Sequence, residues 1–197
     1  MKIRVRDCCV QISFFFFLTV CLALILDKTN TAVLALCAAG VHEMGHLLCM
    51  LFFGERPACV RVAPFGFCIT RAPCGSYRQE ILIALAGPAA NLLAALLLFV
   101  TAKVCKTSCL NRAILVNLSL ALFNLIPIEP LDCGRAVLYR LCARTDSARA
   151  ERIVFFIGVF FLIPLTACGV LVLIKSRYNV TLLLAGAYLA VTLLKKR

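Results

Sequence analysis

The sequence predicts an all-α integral membrane fold with about six transmembrane helices, and three observations carry that prediction. Of 197 residues, 63% are apolar and the mean hydropathy is +1.00. Several apolar runs reach the roughly 20 residues that a helix needs to cross a bilayer. The 21 Lys and Arg residues, which set a net charge of +12, sit in short segments between those runs. No basic domain or aromatic-interleaved patch accompanies them, so the charge reads as a topology signal beside anionic lipid, and nucleic acid is excluded as a partner.

Taken in order, residues 1–7 form a basic lead-in and residues 9–26 a first span. That span starts as a signal peptide would, but Asp27-Lys28-Thr29-Asn30 follows without a small-residue cleavage pattern, so it is read as retained. The second span, residues 31–53, is about 35 Å long at helical rise. Residues 54–79 break the pattern with Pro57, Pro64 and Pro73, and hold two stretches of strand character, 58–62 and 67–70. A membrane-associated β-hairpin between spans 2 and 3 is expected there, with an ordinary connector as the alternative.

Residues 80–102 are the third span, with Ala86-Gly87-Pro88-Ala89-Ala90-Asn91 inside it. Small residues at that density admit a second helix closely, and the proline frees a backbone carbonyl for another partner. The fourth span runs from Arg112 to about Ile126. There Pro127 and Pro130 end regular helix. Irregular backbone at membrane depth must be buried in protein or face a wet cavity, so this segment is expected to line a site. A surface helix follows at 136–143, then a fifth span at 155–174 and a short sixth at 178–194. Segments on the side of both termini carry 15 Lys and Arg against 6 opposite, which places both termini in the cytosol of a multi-pass cell-membrane protein.

Thirteen cysteines include no C-x-x-C pair, and Cys21, Cys37, Cys49 and Cys168 lie within apolar runs. They behave there as small hydrophobes, and no disulfide framework is expected. Cys105 and Cys109, which flank a short polar loop, are the one pair whose bonding merits a test.

The chemistry concentrates in Val41-His42-Glu43-Met44-Gly45-His46-Leu47, which holds the only two histidines of the chain. In a helix, His42 and His46 project from one face and can close on a single metal ion, with Glu43 beside them. Chance placement of two histidines four apart, with one of the five Glu residues directly after the first, amounts to about one in 4,000. Ionisable groups are costly in an apolar span, which again favours function over accident. Zinc suits imidazole pairs, and its catalytic sites use three protein ligands plus water. Asp132, in the proline-interrupted segment at matching depth, is the preferred third ligand; Glu129 is the rival three residues earlier.

His42-Glu43-Met44-Gly45-His46, Gly87-Pro88-x-x-Asn91 and Asn124-x-x-Pro127-x-x-Pro130-Leu131-Asp132, in this order and in separate spans, resemble the site-2 protease family of intramembrane zinc metalloproteases. The resemblance covers about residues 41–135. It implies Zn2+ held by His42, His46 and Asp132, Glu43 as general base, and Asn124 positioning the substrate backbone or oxyanion. Asn91 and Glu129 are secondary candidates. The resemblance also implies that residues 54–79 receive an unwound substrate as an added strand.

Without a PDZ insertion, the six-span pattern looks most like the group that processes sporulation sigma factors. The chain then reads as one membrane-embedded domain, residues 1–197, with its catalytic core at about 31–135. That group usually carries a cytosolic CBS domain, and this sequence stops at Arg197 before any, so ATP sensing is not inferred. Cys133 stands where the family commonly has a glycine, and Glu129 where an uncharged residue is frequent. The implied partners are a membrane-associated protein substrate, a regulatory membrane protein and the lipid bilayer. A catalytically inactive protein that binds client helices and a metal transporter are the alternatives; Glu43 argues against the first, and the lack of a second acidic or histidine cluster against the other.

Overall fold

The computed structural model of the chain describes residues 2–5, 8–12, 14–27, 29–55, 59–63, 66–70, 76–104, 107–177 and 180–195. Its elements are β1 (Lys2–Val5), β2 (Cys8–Ile12), α1 (Phe14–Leu26), α2 (Thr31–Phe52), β3 (Cys59–Ala63), β4 (Gly66–Thr70), α3 (Tyr77–Val104), α4 (Ser108–Asn124), α5 (Asp132–Cys142), α6 (Ser147–Ser176) and α7 (Thr181–Lys195). Helices α2, α3 and α6 are long and apolar enough to cross a membrane. At 22, 28 and 30 residues they extend about 33, 42 and 45 Å. Helices α1, α4 and α7 are apolar but shorter, at 13, 17 and 15 residues.

The chain starts differently from the expected first span at 9–26. Residues 8–12 form strand β2, antiparallel to β1 and parallel to β3, and helix begins only at Phe14. An apolar run of this length carries no periodicity that separates strand from helix, and pairing with β3 decides it. Between α2 and α3, β3 and β4 pair antiparallel with Val60 opposite Ile69 and Val62 opposite Phe67, completing a sheet of order β1-β2-β3-β4.

Asp27 starts α2 in place of an N-cap side chain. Its Oδ2 accepts the Ala32 N–H at 2.6 Å and its Oδ1 the Thr29 N–H at 2.8 Å and the Thr29 hydroxyl at 2.6 Å. The turn passes through Asn30 at φ 58°, a left-handed conformation that Asn tolerates better than most residues. On α2 the buried residues are Ala38, His42, His46 and Met50, one per turn. That stripe faces α3, whose buried positions include Ile83, Ala84, Gly87, Pro88, Asn91 and Ala95. The two backbones come close because Gly45 has no side chain: a Cβ there would lie 2.6 Å from the Ala86 carbonyl oxygen and 2.7 Å from the Ala90 Cβ.

Helix α3 also packs against α4 and α5, and α6 against α7. The segment between α4 and α5 is anchored by Ile128 and Leu131, which join Leu189 and Leu193 of α7 in a buried cluster flanked by Phe155 and Leu162 of α6. Many large side chains of α6 face outward, Phe160 at 69% and Ile174 at 66% exposure among them, as a helix surrounded by hydrocarbon requires.

Candidate metal centre

Two elements that are 90 residues apart in sequence meet at one point. Helix α2 supplies His42 and His46 from adjacent turns, and α5 supplies Asp132 as its first residue. His42 Nε2 lies 2.9 Å from Asp132 Oδ2, His46 Nε2 lies 3.2 Å from His42 Nε2, and His46 Nε2 lies 3.5 Å from the same carboxylate oxygen. Three donors bound to one tetrahedral ion at zinc distances would sit about 3.3 Å apart. The three atoms therefore mark three corners of such a site.

The surroundings also fit a zinc ion. His46 Nδ1–H donates to the Ile83 carbonyl at 2.7 Å, which fixes the ring and leaves Nε2 with its lone pair. Ile83 lies five residues before Pro88, in the stretch of α3 that the proline loosens. Gly87 opens the space in front of both rings: a Cβ there would collide with His46 Nε2 and lie 2.7 Å from His42 Nε2. His42 and His46 are buried, and Glu43 is half-buried, within the electrostatic reach of His46, His42, Asp132 and Arg135.

Asp132 is delivered by the proline-interrupted segment. The Leu131 N–H donates to the Ile128 carbonyl at 2.9 Å, turning the chain so that α5 starts at Asp132. Gly134 packs directly on the Ile128–Glu129 backbone, where a Cβ would clash. The glycine that the turn requires is thus Gly134, and Cys133 stands half-buried beside it without disturbing the turn.

The remaining sequence candidates fall elsewhere. Asn124 is the last residue of α4 and donates through Nδ2 to the Leu120 carbonyl at 3.0 Å. Asn91, fully buried on α3, donates to the Ala38 carbonyl at 3.3 Å. Glu129 lies outside the His–His–Asp cluster and lines a separate cavity with Glu151, Arg152 and Phe155. Because residues 125–131 are not helical, the spacing of three between Glu129 and Asp132 does not bring them to one face. Cys109 is a free, exposed thiol, and Cys105 lies outside the described residues. Ile83 has no signal in the sequence, because a backbone acceptor leaves no side-chain signature.

The description "Peptidase family M50" belongs to the family model that matches residues 100–165, the part of the chain holding Asp132. The fold matches the site-2 protease from Methanocaldococcus jannaschii at a TM-score of 0.72 and 19% identity, over 99% of this chain and 94% of that one. Over residues 100–165 the chain is similar to peptidase family M50. Its similarity to Stage IV sporulation protein FB of Bacillus subtilis is 25% identity over 189 residues, 92% of this chain and 64% of that protein. With a protein of Synechocystis sp. named as a zinc metalloprotease it shares 33% identity over 113 residues, 54% of this chain and 30% of the relative. The chain thus spans less than two thirds of either relative's length.

Proposed function

We propose that this chain is an intramembrane zinc metalloprotease, cleaving peptide bonds within or next to membrane-embedded segments of its substrates. The observation that carries the reading is the meeting of Asp132 of α5 with His42 and His46, which stand beside Glu43 on a helix long and apolar enough to span a bilayer. His42, His46 and Asp132 would hold the ion. Zinc at such a site supplies Lewis acidity toward a carbonyl oxygen and lowers the pKa of a coordinated water.

Glu43 accepts a proton from the attacking water and returns it to the leaving amine, the two tasks of a single general base and acid. The Ile83 carbonyl keeps the His46 imidazole oriented. Asn124 uses one amide hydrogen on Leu120, and the second is left for a substrate oxygen. A helical substrate has its carbonyls hydrogen-bonded, so the target segment must unwind before attack; the edge of the β3–β4 pair is suited to take it as an added strand.

The topology belongs to the same reading: six membrane passes, with α1, α4 and α7 as the short ones, both termini cytosolic, and the β3–β4 pair at the membrane surface. The relationship to Stage IV sporulation protein FB supports a substrate among sporulation sigma-factor precursors or membrane-anchored regulators. A regulatory membrane protein is the expected second partner.

Co-expression with a panel of tagged single-span and pro-factor substrates tests this. Cleavage by the parent chain that disappears in Glu43→Gln and in Asp132→Ala, at matched protein level, is the expected result. Cleavage that persists in Glu43→Gln would contradict the mechanism.

A further inference from the structure

Three buried polar atoms of the described residues have no hydrogen-bond partner: His42 Nδ1, Asn91 Oδ1 and Asn117 Oδ1. The first two are complementary. A histidine that gives Nε2 to a metal carries its proton on Nδ1, so His42 presents a donor, and the Asn91 carboxamide oxygen is an acceptor. Both lie in the α2–α3 interface. Asn91 Nδ2 donates to the Ala38 carbonyl, one turn before His42, and Asn91 is one turn beyond Gly87, which faces the Nε2 atoms of both histidines. Asn91 is 0% and His42 6% exposed, so neither orphan can be satisfied by bulk solvent or by lipid.

We infer that Asn91 is the positioning residue for His42: its Oδ1 receives the Nδ1–H of His42 through one buried water. A site with two polar partners, walled off from solvent, is where such a water is retained. The α3 helix then orients both histidines from positions two turns apart, His46 through the Ile83 carbonyl and His42 through Asn91. The inference rests on the metal reading of the site and adds to it the tie that fixes the His42 tautomer. The Nδ2 bond to Ala38 has a different task, holding the helices together.

Zinc affinity, measured by chelator competition on the purified full chain in detergent, separates these tasks. Asn91→Leu removes both the acceptor and the donor. Asn91→Asp keeps the acceptor and loses the bond to Ala38. The expected result is an affinity lowered about tenfold or more in Asn91→Leu and restored to within about threefold of the parent in Asn91→Asp, with both variants keeping helix content by circular dichroism. Equal affinity in Asn91→Leu and parent would overturn the inference and leave the metal site standing. An Asn91→Asp variant as weak as Asn91→Leu would overturn it in favour of the Ala38 bond. A parent chain that binds no zinc would overturn both the inference and the metal reading.

Discussion

Gly87 faces His46 so closely that a Cβ on residue 87 would collide with the His46 Nε2 atom. The glycine is therefore part of the site as a space, and its role is separable from helix packing because the obstructing atoms are the imidazole nitrogens themselves. Gly87→Ala is expected to displace the rings and to lower zinc affinity by about tenfold or more, the scale seen when ligand orientation is lost. Chelator competition checks this, and circular dichroism should show the helices intact.

Glu43 neighbours His42 on α2 without belonging to the His–His–Asp cluster. Glu43→Gln should keep the full zinc content of the parent while its cleavage rate falls by about a hundredfold or more, the usual scale for removing a general base. Single-turnover assay on a reconstituted substrate, with metal analysis of the same samples, reads both quantities.

Gly134 is held against the Ile128–Glu129 backbone, and the clash there involves main chain that cannot rotate away. Gly134→Ala should shift α5 and Asp132 with it, costing zinc and activity together. Cys133→Gly, one position earlier, should leave both within about twofold, since the close approach to the backbone is made at Gly134. Comparing the metal content of the two variants tests the assignment of the turn.

Asp27 carries a pH dependence. Its carboxyl is held below the usual aspartate value of 3.8, chiefly by the Thr29 hydroxyl and then by the backbone N–H groups of Ala32 and Thr29. A lowered folded-state pKa means that the ionised cap stabilises the start of α2 in full above the ordinary value, and that this contribution is lost as pH falls through the lowered one. The Ala32 amide resonance should therefore titrate with a midpoint below 3.8. Asp27→Ala should abolish the titration and lower the thermal midpoint.

Much of this architecture was readable because its signals are carried by side chains. Helix α2 ends within a residue of the expected second span, since apolar composition and the Asp27–Asn30 turn mark both boundaries. The His42–His46 spacing has one geometric meaning in a helix, and the prolines at 127 and 130 announced the irregular segment that delivers Asp132. What stayed hidden depends on tertiary pairing or on the main chain. Residues 9–12 read as the start of a span because short strands and helices look alike over so few residues. The Ile83 carbonyl that orients His46 has no residue type to betray it. Gly87 reads as a packing residue, and only the position of the facing rings reveals that it clears room for the two imidazoles.

The most direct test of the metal centre is the zinc content of the purified full chain, measured beside His46→Ala and Asp132→Ala. One zinc per chain in the parent, lost in both variants while helix content is unchanged, is the predicted result. A parent without zinc, or variants that retain it, would contradict the assignment of His42, His46 and Asp132 as the ligands.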